Sequence, residues 1–187
     1  MSTTGIVILI VVLVAAGAAI LFWFSRERSR KLRERFGPEY NRAIQETGSA
    51  SRAEKKLDHL QKRVERLAIH PLSPLERDRF AESWVNVQAA FVDDPGLALT
   101  QADELLQRVM SARGYPMTSF EERAEEISVD HAHVVQNYRA GHLIAKRHLL
   151  GQATTEDLRQ AMVHYRTLFD ELIAEPNVVR VRHASAG

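Results

Sequence analysis

The sequence predicts an all-α protein: a single N-terminal transmembrane helix followed by a compact bundle of about six or seven helices. Three observations predict it. Gly5 to Phe24 holds twenty residues with neither a charge nor a proline. Beyond residue 36, apolar residues recur at spacings of three and four, the period of a helix with one buried face. Between these stretches stand Ser, Thr and Asp caps, prolines at first-turn positions and glycines at stops. The one strand candidate is the isolated "NVVRVRH" at 177–183, and no internal repeat is found.

Residues 1–4 form a short tail. Twenty helical residues reach about 30 Å, the thickness of a bilayer's hydrocarbon core. The β-branched run from Ile6 to Val12 is no obstacle, because a helix satisfies its own backbone in lipid. Phe22, Trp23 and Phe24 close the segment, where aromatic rings favour the headgroup boundary. Arg26, Arg28, Arg30, Lys31, Arg33 and Arg35 follow, against Glu27 and Glu34 alone. Cations beside a span stay cytoplasmic, so residues 25–36 read as a basic juxtamembrane segment. This places the N-terminus outside a bacterial inner membrane and the helical domain in the cytoplasm. The rivals are a cleaved signal peptide, for which Ala16-Gly17-Ala18 supplies a cleavage pattern, and an exported domain. Against cleavage, the n-region "MSTT" carries no side-chain cation and the apolar run is long. The small residues Ala15 to Ala19 would permit close approach of two spans, so a homo-oligomer is a candidate state.

The 187 residues contain 25 basic and 24 acidic side chains and no cysteine, so disulfides and thiolate chemistry are excluded. Every charge follows Phe24. The stretch 26–35 carries net +4, which leaves the rest of the chain at net −3. The cations therefore suit anionic lipid headgroups, while the weakly acidic remainder argues against a nucleic-acid partner.

The soluble part is expected over 37–175, with 176–187 a loose tail. "GPEYNRAIQETG" opens a helix at Pro38 and stops it at Gly48. Ser51-Arg52-Ala53-Glu54 reads as a capping box for a helix to about Ile69, with Ala53, Leu57, Leu60, Val64 and Leu67 as its seam. Ser73, Pro74 and Glu76 start the next helix, on which Phe80, Trp84, Val87 and Phe91 form a stripe; core packing is the expected role of Trp84. Asp93-Asp94-Pro95 joins it to a helix carrying Ala102, Leu105, Leu106, Val109 and Met110. Thr118 and Glu121 box a short helix to about Ile127. Asp130 then caps a long one to Leu150, closed by Gly151, and Leu158 to Leu172 supply the last stripe.

"RFGPEYNRA", "LSPLERDRFAESWVNVQAAFVDDP", "ADELLQRVMSARGYP", "SVDH…VVQNYR" and "TEDLRQAMVHYRTLFDEL" together resemble an uncharacterised family of small bacterial proteins. The resemblance implies one N-terminal hydrophobic segment and an all-helical domain. It brings no catalytic residue and no substrate.

Few residues suggest chemistry. Asp130-His131-Ala132-His133 is the most suggestive group, but on a regular helix the two histidines point about 200° apart and cannot share an ion. His164 beside Tyr165 has the chemistry of a general base, though its place at the edge of an apolar stripe favours a hydrogen-bonded structural histidine. Arg113 and Tyr115, in the R-G-Y-P turn, are the candidate exposed anchor for a protein partner. There is no HExxH, no Gly-rich phosphate loop and no G-x-S-x-G, so no metal, cofactor or catalytic residue is assigned. The expected function is a membrane-tethered interaction module that is not an enzyme. The alternative is a membrane-bound enzyme or metal-binding protein, its His/Asp site built from Asp130, His131 or His164.

Overall fold

The computed structural model describes residues 3–174, with side chains from Val12 onward except at positions 14, 18 and 21. The strand candidate at 177–183 and the tail 176–187 lie outside the described residues, as does half of the apolar run's side chains. The described residues form eight α-helices and no strand, the all-α class that the periodicity predicts. Among them no helix is long and apolar enough to cross a membrane. The chain divides into two compact units, Met1–His59 and Leu60–Gly187. Leu32 and Phe36, inside the basic segment, are buried, as are Tyr40, Ala43, Ala53 and Leu57 of the same unit.

In the first unit, α1 (Thr3–Phe36) runs unbroken through the basic segment. Gly37 ends it with φ +49°, a conformation that suits glycine, and Pro38 takes the first position of α2 (Pro38–Thr47). Gly48, at φ +72°, stops α2 as expected and returns its N–H to the Ile44 carbonyl. Next, α3 (Ala50–Val64) begins one residue before the expected cap. Ser51 is thus already helical, and Glu54 serves tertiary partners instead of a capping box: its carboxylate accepts from Ser29 Oγ at 2.6 Å and from Tyr40 Oη at 3.0 Å.

The second unit contains the end of α3 and five further helices. The expected end at Ile69 is overrun by a tertiary demand: α3 stops at Val64, and the chain then bends so that the His70 N–H donates to the Arg113 carbonyl. In α4 (Pro74–Asp93) Ser73 and Glu76 form the predicted box. Asp94 closes α4 and caps α5 (Pro95–Ala112), accepting from the Leu97 N–H at 2.9 Å. The box opening α6 (Phe120–His131) uses Ser119 and Glu122, one residue beyond the expected Thr118 and Glu121. Glu121 is occupied by Arg139, at 2.6 Å.

Asp130 is not the expected cap of the next helix, because α6 continues through it to His131 and Val134 holds the cap position of the following one. After an irregular turn, α7 (Val135–Leu149) begins. Gly151, at φ +68°, follows α7, and Thr154 with Asp157 caps α8 (Thr155–Ala174) reciprocally. α8 packs on α7 and α5, α5 on α4, and α6 on α7. Their apolar faces meet in one cluster, in which Trp84 is buried and stacked on Phe169 at 4.6 Å. Gly141 admits the Tyr165 ring so closely that a Cβ there would lie 2.5 Å from it.

Candidate functional site

The six cations of α1 are wound around the helix, since successive residues advance by about 100°. Arg30 binds Glu27 at 2.8 Å and lies 3.9 Å from Glu34, while Lys31 lies 3.8 Å from Glu27. The bond from Arg30 holds the Glu27 carboxyl below its usual range. Arg33 sits over the Tyr40 ring at 5.1 Å, and Arg28 pairs with Asp58 of α3. Arg26 is exposed next to the aromatic end of the apolar run, where Phe22, Trp23 and Phe24 are all exposed. The basic segment thus uses part of its charge internally and keeps a net positive surface.

The R-G-Y-P turn corrects an expectation. Arg113 and Tyr115 are 1% and 3% exposed, so neither is an exposed partner anchor. The turn is buried because Arg113 completes another helix: its Nη1 donates at 3.1 Å to the Leu172 carbonyl, one of the last four of α8, which have no acceptor role within the helix. Its positive charge also suits the negative end of that helix. Burial lowers the Arg113 pKa, and Tyr115, Asp130 and Glu171 oppose the change. Gly114, at φ +91°, lets the backbone pass tightly; a Cβ would lie 2.6 Å from the Ala68 carbonyl oxygen.

The same corner gathers the histidine motif. Because residues 132–134 are a turn and not helix, His131 and His133 escape their helical divergence and reach one carboxylate. His131 Nδ1 lies 3.1 Å from Glu171 Oε1, and His133 Nε2 lies 3.4 Å from Oε2. Burial lowers the His131 pKa against the pull of Glu171, which favours neutral imidazole with Nδ1–H donating. Asp130 is exposed beside it. His131 and His133 of the sequence motif therefore meet at Glu171, which sequence reasoning missed, while Arg113 lies close enough to feel the charges of Asp130 and Glu171. Glu171 lies on the last helix but outside its apolar stripe, so no local spacing marked it. Among the described residues no group of three or more His, Asp or Glu side chains is disposed to hold a metal ion. His164 stands apart, two turns before Glu171, with Nδ1 2.8 Å from Asn137 Oδ1.

A second polar set lies between α5, α6, α7 and α8. Arg123 Nε donates to Tyr138 Oη at 3.4 Å, and Gln107 donates to Asp103 Oδ2 at 2.6 Å. Burial, then Asp103, pushes the Tyr138 phenol up to about 12, and the same two causes raise Tyr165. Phenols held so firmly protonated are hydrogen-bond donors and not bases. His142 stacks on Phe120 at 3.5 Å, and burial lowers its pKa. No local spacing signals this set, since its members come from four helices.

No protein-family model, no curated protein and no solved structure matches the chain.

Proposed function

We propose that the protein is a single-pass, membrane-tethered helical interaction module, with residues 5–24 in the bilayer of a bacterial inner membrane, the N-terminus outside and both helical units cytoplasmic. One observation carries the reading. α1 is a single uninterrupted helix from the apolar run into the buried contacts of Leu32 and Phe36, so an anchored α1 would hold the first unit at a defined height above the membrane. Tethering would raise the effective concentration of the helical units for a protein partner in the same thin layer. The buried polar groups support a scaffold, since Arg113 and Arg123 join helix to helix.

Reporter fusions test this. A C-terminal alkaline phosphatase fusion should be inactive and a C-terminal fluorescent protein bright, with the chain in the membrane fraction after carbonate washing. An active phosphatase would reverse the topology and favour an exported domain, and release by carbonate would remove the anchor.

A second reading, a metal-binding protein or enzyme, rests on the meeting of His131 and His133 at Glu171. Stoichiometric zinc, iron or manganese in the purified protein, lost in His131→Ala, would favour it.

A further inference from the structure

We propose that the crossing of α1 and α3 forms a groove for the phosphate headgroup of an anionic phospholipid. This rests on the membrane anchoring proposed above and adds to it a specific lipid site. The groove has a volume of about 280 Å³ and is lined by Phe24, Ser25 and Arg28 of α1 and by Ser51, Glu54 and Lys55 of α3. Liquid water occupies about 30 Å³ per molecule, so there is room for a phosphate with part of its hydration.

The chemistry of the lining favours an anion. Lys55 is exposed and has no ion-pair partner among the described residues. Arg28 pairs with Asp58 yet is half exposed; a guanidinium has five N–H donors, and one carboxylate engages at most two of them in a bidentate pair. The hydroxyls of Ser25 and Ser51 add two neutral donors. Glu54 is the one acid in the lining, and its Oε1 is already engaged by the hydroxyls of Ser29 and Tyr40.

Position selects the source of the phosphate. Phe24 is the last residue of the apolar run, and it stands 60% exposed beside Trp23. A helix inserted up to its aromatic end puts the next turn at headgroup depth. Ser51 and Lys55 are more than twenty residues away in sequence and arrive at that depth because α2 returns the chain toward α1. The basic run 26–35 alone would attract anionic lipid diffusely, whereas a groove closed by α3 would retain one headgroup.

Trp23 reports on the site, because the chain has only two tryptophans and the other, Trp84, lies in the second unit's core. The full chain carrying Trp84→Phe is reconstituted in mixed phosphatidylcholine and phosphatidylglycerol vesicles, with bromine on one lipid or the other. Should that variant fold poorly, the same difference is read in the natural chain over the constant background of buried Trp84. Phosphatidylglycerol should quench Trp23 more strongly than phosphatidylcholine at equal mole fraction. Lys55→Gln should lower that preference about fivefold, the usual effect of one cation at an anionic surface. Lys62→Gln, outside the groove, should leave it unchanged. A preference that survives both Lys55→Gln and Lys55→Gln/Arg28→Gln overturns the groove while leaving the anchor intact. Absence of quenching by either lipid overturns the anchor and the groove together. Broadening of the inorganic phosphate ³¹P line by the chain in pure phosphatidylcholine, abolished in Lys55→Gln, would assign the groove to free phosphate and overturn the lipid assignment.

Discussion

The two units are held by different kinds of charge. In the first, Glu39 is buried, but the ion pairs lie at the rim: Arg28 with Asp58, Arg42 with Glu46 at 2.8 Å, and Lys56 with Glu46 at 2.8 Å, all substantially exposed. In the second, Arg113, Arg123, Glu126 and His131 are buried in or beside a large apolar core. Exposed pairs in water contribute about 0.2–1 kcal/mol each and weaken with salt. A buried charge that loses its partner costs about 3–5 kcal/mol, because nothing replaces its lost hydration.

The most severe test of this contrast is Arg113→Ala. It strands the Leu172 carbonyl and removes a buried cation that the charges of Asp130 and Glu171 favour, so urea denaturation should show a loss of about 3–5 kcal/mol. Trp84→Ala should match it at about 3–5 kcal/mol through the cavity left against Phe169. A loss under about 1 kcal/mol at either position would contradict the buried interior of the second unit.

Gly141→Ala probes packing alone. Its Cβ must displace the Tyr165 ring, and thermal unfolding should reveal a loss of about 1–3 kcal/mol. No loss would mean that the α7–α8 contact yields easily.

Acidity acts on the buried groups of the second unit. Burial depresses the folded pKa of His131 and of His142 below the ordinary 6.5. Their contribution is therefore complete above about pH 6.5 and declines as the pH falls below it, since the unfolded chain takes up protons first. Glu126 has the opposite sign: burial raises its pKa above 4.5, only partly offset by Arg63 at 3.5 Å. Its contribution falls as the pH rises through the folded value, so Glu126→Gln should stabilise the protein at pH 7. Denaturation midpoints from pH 5 to 8 check both slopes, and a less stable Glu126→Gln at pH 7 would show that the Arg63 pair outweighs burial.

The smallest effect belongs to the first unit. Lys56→Ala should cost about 0.2–1 kcal/mol and nothing measurable in molar salt. A larger, salt-independent loss would erase the distinction between the units.

Local rules were enough for much of this architecture. The helical class follows from spacing, and Gly48, Ser73 with Glu76, and Gly151 act where backbone geometry and capping require. Such features depend on neighbours within four residues, so they are legible in one dimension. Tertiary structure overrode the same rules wherever a side chain had a better partner elsewhere. Glu54 left its capping role for Ser29 and Tyr40, Glu121 for Arg139, and Arg113 turned inward from an apparently exposed turn to the end of α8. Asp130 does not cap the next helix because α6 runs on past it, and the turn that follows brings His131 and His133 to Glu171, forty residues from the first of them. The sequence by itself determined where helices form, where most of them stop and where positive charge borders the apolar run. Only the tertiary structure decided which polar groups meet, because a buried charge or carbonyl must find its partner wherever the chain's packing brings one within hydrogen-bond reach.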